Sequence, residues 1–233
     1  MTVSLSSLAD QPVRRGNYRA VLRADADPVA TEQALAACQT ALEQAKTAGV
    51  LLTASLYRYE RMLFLYAEGI GQVVDPAVLL SALNPLLLCW PASPAAQQAD
   101  RLWVTMQPYY YHSEPTTVAD WQQGRHPERR RGRIALLDDE AWTSYVYYHL
   151  ALMRERTIAG DRYHLISLHE NVLFSYFEEP KTMVNLCGDP QAESAVLQDW
   201  LAADPESHFL KFTPETTLGT GGNFVFLPCC AGV

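Results

Sequence analysis

Apolar and polar positions alternate along this chain in an order that occurs twice. Tyr18-Arg19-Ala20-Val21-Leu22 is a short apolar run that ends in acidic turn residues, the mark of a strand. Asp27-Pro28 then opens a stretch rich in Ala, Gln, Glu and Leu, with Asp as cap and Pro in the first turn, which predicts a helix over 28–47 closed by Gly49. Arg133-Ile134-Ala135-Leu136-Leu137 repeats the strand, and Asp138-Asp139-Glu140 opens a second helix running to about Ile158 and ending at Gly160. Each helix is followed by a hairpin: SLYRYERMLFLYAE (55–68) and SLHENVLFSYFE (167–178) both begin Ser-Leu and end Leu-Phe-x-Tyr-x-Glu. The first has two more residues in the middle and predicts a longer turn. Asp75-Pro76 and Asp189-Pro190 then start further helices, about 75–88 and 190–202. Each copy closes on an apolar run, Leu102–Met106 or Asn223–Leu227.

Strand, helix, hairpin, helix, strand is the βαββαβ order of a ferredoxin-like unit. The sequence therefore predicts an α+β chain of two such units, 1–106 and 133–233, packed as a pseudo-dimeric α+β barrel. Residues 107–132 hold three prolines and two glycines with little periodicity and read as a linker. Its basic end, RHPERRRGR (125–133), reads as a solvated connector.

Composition narrows the function. With 18 Lys+Arg against 26 Asp+Glu, the net charge of −8 argues against nucleic-acid binding, which depends on neutralising phosphates, and against a polybasic membrane dock. There is no apolar run long enough for a membrane span and no signal-peptide pattern at the start. Five cysteines without a CxxC pair suit a reduced, cytoplasmic protein without a zinc site. Cys229-Cys230 fall where a chain end frays. No P-loop or GxSxG elbow is present, and the glycines at 219–222 read as a turn.

Candidate chemistry concentrates in the second copy. Its helix carries Trp142, Tyr145, Tyr148 and His149, where the first copy's helix is Ala-rich. Tyr145 and His149 are four apart and share one face, so an imidazole and a phenol can act together on protons near neutral pH. The same pattern also describes an aromatic core stripe with one hydrogen-bonded histidine. On the next strand, alternation puts Tyr163 and His164 on opposite faces, leaving open which of them faces the helix. His169 falls at the turn, and with His208 the copy holds four histidines but no HxH or HxxxH metal spacing. Tyr109-Tyr110-Tyr111 reads as a strand end packed on the core, or as a stacking platform.

These residues of the second copy resemble the L-rhamnose mutarotases. The likeness runs through the strand at 133–137, Tyr145-x-x-x-His149, Gly160, Asn171-Val172-Leu173-Phe174, Glu178, Trp200 and Val225-Phe226-Leu227. It implies a dimeric ferredoxin-like barrel that interconverts the anomers of a deoxysugar without a cofactor or metal. His149 would be the proton donor. Tyr145 would contact the sugar, Tyr163 or His164 and Trp200 would line the pocket, and Glu178 would bind sugar hydroxyls. In the first copy the helix positions opposite His149 fall near Ala36 to Cys38, so one site per chain is expected in a monomer that is its own pseudo-dimer, with further oligomerisation possible. Two other readings use the same architecture: a non-catalytic sugar or metabolite binder, and cofactor-free oxygenation or haem binding.

Overall fold

The computed structural model describes residues 7–91, 101–184, 193–212 and 222–233. Along the chain run β1 (Val13–Val21), α1 (Pro28–Thr47), β2 (Leu51–Tyr59), β3 (Met62–Ile70), α2 (Pro76–Leu79), β4 (Val104–Tyr111) and α3 (Val118–Gln122). There follow β5 (Arg129–Leu137), α4 (Trp142–Glu155), β6 (Gly160–Asp161), β7 (Leu165–His169), β8 (Val172–Glu179) and β9 (Met183–Val184). The last elements are α5 (Ala195–Ala202), β10 (Phe209–Leu210), β11 (Val225–Leu227) and β12 (Cys229–Gly232). The chain forms two compact units: residues 1–106, 115–125 and 228–233 make unit 1, and 107–114 with 126–227 make unit 2.

Each unit is ferredoxin-like, as expected. In unit 1 the strand order is β4-β1-β3-β2, with β12 added on β2. In unit 2 β10 and β11 both pair with β5, which is followed by β8 and β7. The repeated motif occupies the same register in both. Leu63, Tyr66 and Glu68 of β3 face Ala20, Asn17 and Arg15 of β1; Leu173, Tyr176 and Glu178 of β8 face Ala135, Gly132 and Arg130 of β5. Both hairpins close with a two-residue turn, whose first residue, Glu60 or Glu170, takes a positive φ. The longer first turn expected from the sequence is therefore absent. Register aligns Ser55 with Leu165, so the shared Ser-Leu is coincidence, whereas Leu-Phe-x-Tyr-x-Glu is true equivalence.

Local signals explain most helix ends. Asp27 Oδ1 accepts the Ala30 N–H at 2.8 Å, and Gly49 with φ 70° follows the last turn of α1. The buried stripe Thr31, Ala34, Leu35, Cys38, Leu42 has helical spacing, and its apolar members pack on Leu63, Leu65 and Ala67 of β3. Asp75 caps α2, but the helix expected over 75–88 stops at Leu79 and continues as a 3₁₀ segment, Ser81–Leu86; Pro85 in it has no N–H to donate. In unit 2, α4 ends at Glu155 with Arg156 in the left-handed region, not at Gly160. The Asp189-Pro190 start signal lies outside the described residues, and α5 begins after Ser194, whose Oγ accepts the Leu197 N–H at 2.9 Å.

Gly160 has a different duty from the one its sequence position suggests. It sits in β6, and a Cβ there would lie 1.9 Å from His112 Nε2. Gly160→Ala is expected to lower unfolding free energy by roughly 1–3 kcal/mol, the usual cost of overpacking. Urea melts check this, and the loss should shrink in a His112→Ala background. An equal loss in both backgrounds would show that His112 is not the cause.

The segment expected as a linker is structured. Residues 104–106 of β4 pair with β1 and 107–111 with β7; α3 follows, and β5 starts at Arg129. The basic run is not a solvated connector. Arg125 is buried on Glu68, while Arg130 and Arg131 face Glu178 and Glu179. The C-terminal cysteines do not fray either, because β12 pairs with β2 and Gln39 bonds both backbone groups of Gly232. Among the described residues no helix is long and apolar enough to cross a membrane.

Candidate functional site

α4 of unit 2 turns Tyr145, His149 and Leu152 inward. The His149 ring stacks on Tyr145 with centroids 4.1 Å apart. Three further rings stand edge-on to it: Tyr110 at 5.1 Å, Trp200 at 5.3 Å and Tyr109 at 5.7 Å. Tyr109 and Tyr110 come from the end of β4 and Trp200 from α5, so three separate elements enclose one imidazole. The sequence signal for the first two was the Tyr-Tyr-Tyr run, which is both a strand end and part of this wall.

The imidazole's state follows from its surroundings. Its Nδ1 lies 2.8 Å from the Tyr145 carbonyl oxygen, which can only accept, so Nδ1 carries the proton and Nε2 keeps its lone pair. No described residue hydrogen-bonds that Nε2. Burial pushes the His149 pKa down to about 4; the carbonyl bond opposes this, and nearby His208 adds to it. Burial likewise raises Tyr145 to about 12. At neutral pH the site therefore holds an uncharged imidazole among uncharged phenols. Arg133 stands near both Tyr109 and Tyr145, with its guanidinium 4.4 Å from the centre of the Phe224 ring.

The structure thus brings Tyr145, His149 and Trp200 together. His164 joins them at one remove, 6.1 Å from Tyr110 and 6.0 Å from Phe177. Tyr163 is fully buried, with the Arg162 guanidinium 6.0 Å from its ring. Glu178 lies five residues from Leu173 on β8 and so on the face away from the helix-side core, where the Tyr176 hydroxyl donates to it at 2.7 Å. His208, which the sequence offered only as a possible metal ligand, packs on Trp200 at 4.6 Å. Among the described residues no three His, Cys, Asp or Glu side chains converge as a metal set. Two cavities, of about 520 and 250 Å³, are lined by unit 1 residues and do not touch His149.

No family model matches the chain, and no curated protein matches it. Several solved structures are similar in arrangement. One from Fusobacterium nucleatum, described provisionally as a monooxygenase, is 10% identical, with 95% of this chain and 94% of that chain covered and a TM-score of 0.37. Another so described, from Lactobacillus acidophilus, is 6% identical, with 95% and 96% covered and a TM-score of 0.41. A chlorite dismutase from Candidatus Nitrospira defluvii is 12% identical, with 96% and 94% covered and a TM-score of 0.34. Likeness this distant transfers no chemistry to this chain.

The mutarotase expectation is overturned. The similar structures are described, in part provisionally, as monooxygenases and chlorite dismutases and not as mutarotases. The isomerase class, the sugar substrate and the sugar-binding alternative fall with it. The site agrees with the correction: Tyr145 and His149, assigned to the sugar by resemblance, spend a ring face on each other at 4.1 Å. An imidazole with a pKa of about 4 is also a poor match to proton exchange at neutral pH, which favours groups titrating near the working pH.

Proposed function

We propose that unit 2 is a haem-binding module of oxidative function, in which His149 would hold the iron. The observation that supports this reading is the fixed tautomer of a neutral imidazole. Nδ1–H is anchored on the Tyr145 carbonyl and the Nε2 lone pair is unpartnered among described residues, in a wall of rings. A ligating histidine needs an uncharged ring whose other nitrogen is held by a hydrogen bond. The depressed pKa keeps the lone pair available at any pH above about 4, so proton competition is weak where a general base would suffer.

The donor set fits a macrocyclic iron better than a bare ion, because one imidazole suffices when the ring supplies the other ligands. Tyr110, half-buried beside the imidazole, would offer an apolar face to a planar group, and Arg133 a cation to its carboxylates. Haem, when bound, supplies one-electron and oxygen chemistry. This chain's residues bind it, hold the imidazole in one orientation and keep water away from it.

Titration with hemin tests the reading. The expected result is a saturable Soret band at one haem per chain, with the spectrum of an imidazole-ligated iron. His149→Ala should lose that ligation signature and regain it with added imidazole. Tyr110→Ala, which removes a half-buried ring from the wall, should speed uptake. Hemin that binds His149→Ala with the wild-type spectrum, or no saturable binding at all, overturns the proposal.

A further inference from the structure

A second histidine in unit 2 forms an arrangement that haem binding does not use. Ser144 Oγ, in the first turn of α4, lies 2.6 Å from His208 Nε2. On the other side of that ring, Nδ1 lies 3.1 Å from the carbonyl oxygen of Asp204. A carbonyl can only accept, so Nδ1 carries a proton, and in the uncharged ring Nε2 accepts the Ser144 hydroxyl hydrogen. The result is a hydroxyl, an imidazole nitrogen aimed at it, and a third group that orients the imidazole. This is the logic of an activated serine, with a backbone carbonyl in the orienting place.

The surroundings hold the pair in position. His208 is buried, with its ring edge-on to Trp200 at 4.6 Å, and its own carbonyl accepts the Asp138 N–H at 3.0 Å. The Asp204 carbonyl also closes the 3₁₀ turn Pro205–His208 by accepting the Ser207 N–H. Ser144 is half-buried, and Trp142 beside it is 42% exposed. The cap residue of α4, Ala141, makes no side-chain cap bond, and the first intrahelical bond is Tyr145 N–H to Ala141. The N–H groups of Trp142, Thr143 and Ser144 therefore have no acceptor within the helix.

We propose that Ser144 and His208 form a nucleophile–base pair that accepts the acyl group of an activated, apolar ester. Ser144 Oγ attacks the ester carbonyl, its proton passes to His208 Nε2, and the bond to the leaving oxygen breaks as that proton is delivered to it. Water then attacks the acyl-serine with His208 as base, releasing the carboxylic acid and restoring the hydroxyl. The net change is ester plus water to acid plus alcohol, with no oxidant, reductant or metal. Sequence alone had no signal for this pair, since the partners are 64 residues apart and outside any GxSxG pattern.

The test uses the whole chain with a fluorophosphonate and with p-nitrophenyl acetate. The expected result is one phosphonyl adduct per chain, mapped to Ser144 by peptide mass spectrometry, and a burst of p-nitrophenolate. Ser144→Ala should lose both, and His208→Gln should slow labelling by roughly 100-fold, the worth of a general base. Because His208 is buried, Ser144→Cys serves as a second probe. Its thiol should be alkylated faster than the exposed Cys89 and Cys229 at pH 7. Failure of Ser144 to label, labelling as fast in a folded His208→Gln, or a Ser144→Cys thiol no faster than those cysteines would each overturn the proposal.

Discussion

Glu68→Leu is expected to lower the unfolding free energy by roughly 3–5 kcal/mol, the cost of leaving a buried partner charge unpaired. Glu68 is wholly buried on β3, and the Arg125 side chain that meets it is only 6% exposed. The contact is two-pronged: Nη1 to Oε2 at 2.7 Å and Nη2 to Oε1 at 3.0 Å. Trp121 Nε1 donates to Oε1 at 3.0 Å, and the Tyr66 hydroxyl also donates to this carboxylate. Removing the carboxylate breaks a buried two-pronged ion pair and takes the same acceptor from two further donors. Glu178→Leu removes the equivalent residue of unit 2, but there Arg130 is 32% exposed and 3.7 Å away. The longer contact to a more open guanidinium is the weaker one, so the expected loss is smaller, about 2 kcal/mol, much of it the Tyr176 hydrogen bond to the carboxylate. Glu68→Leu with Arg125→Met should recover most of the loss, because the pair then leaves together. Urea unfolding of the three variants beside wild type checks the order; equal losses at 68 and 178 would refute the account.

The second large effect is acid sensitivity centred on His149. Its pKa is about 4 in the folded chain against an ordinary 6.5. Between those values the unfolded chain binds a proton that the folded chain refuses. The stability is thus complete above pH 6.5 and is lost as pH falls towards 4. The shift corresponds to roughly 3 kcal/mol at pH 4. Carboxylates titrate in the same range, so the readout is a difference. His149→Gln, uncharged at every pH, should lose about 3 kcal/mol less than wild type between pH 7 and pH 4. Parallel stability curves for the two proteins would show that His149 does not hold a depressed pKa.

Much of the fold was legible because it rests on local physics. Asp27-Pro28 and Asp75-Pro76 start helices because a carboxylate accepts first-turn N–H groups and proline has none to waste. The motif Leu-Phe-x-Tyr-x-Glu occurs in one register in both units because a strand's alternation binds each position to a face. The Tyr145/His149 face was legible for the same reason, as i and i+4 on one helix must point one way. What a residue meets on that face was not. A buried strand reads as continuous apolar sequence, so nothing along β3 marked Glu68 as the partner of Arg125, 57 residues later. The prolines and glycines between the copies suggested a linker, yet strand pairing with β1 and β7 gives β4 its structure.

By itself, then, the sequence determined the element order, the duplication, the starts of α1 and α2 and the inward face of α4, each set by bonds or spacings within a few residues. Tertiary structure decided the rest: that Tyr145 and His149 stack, that Arg125 is buried, that Gly160 makes room for His112, and that His208 meets Ser144. The physical reason is range. Backbone geometry and capping act within a turn or a strand pair, whereas ring stacking, buried ion pairs and hydroxyl–imidazole contacts need atoms that only chain folding brings within hydrogen-bond or van der Waals distance.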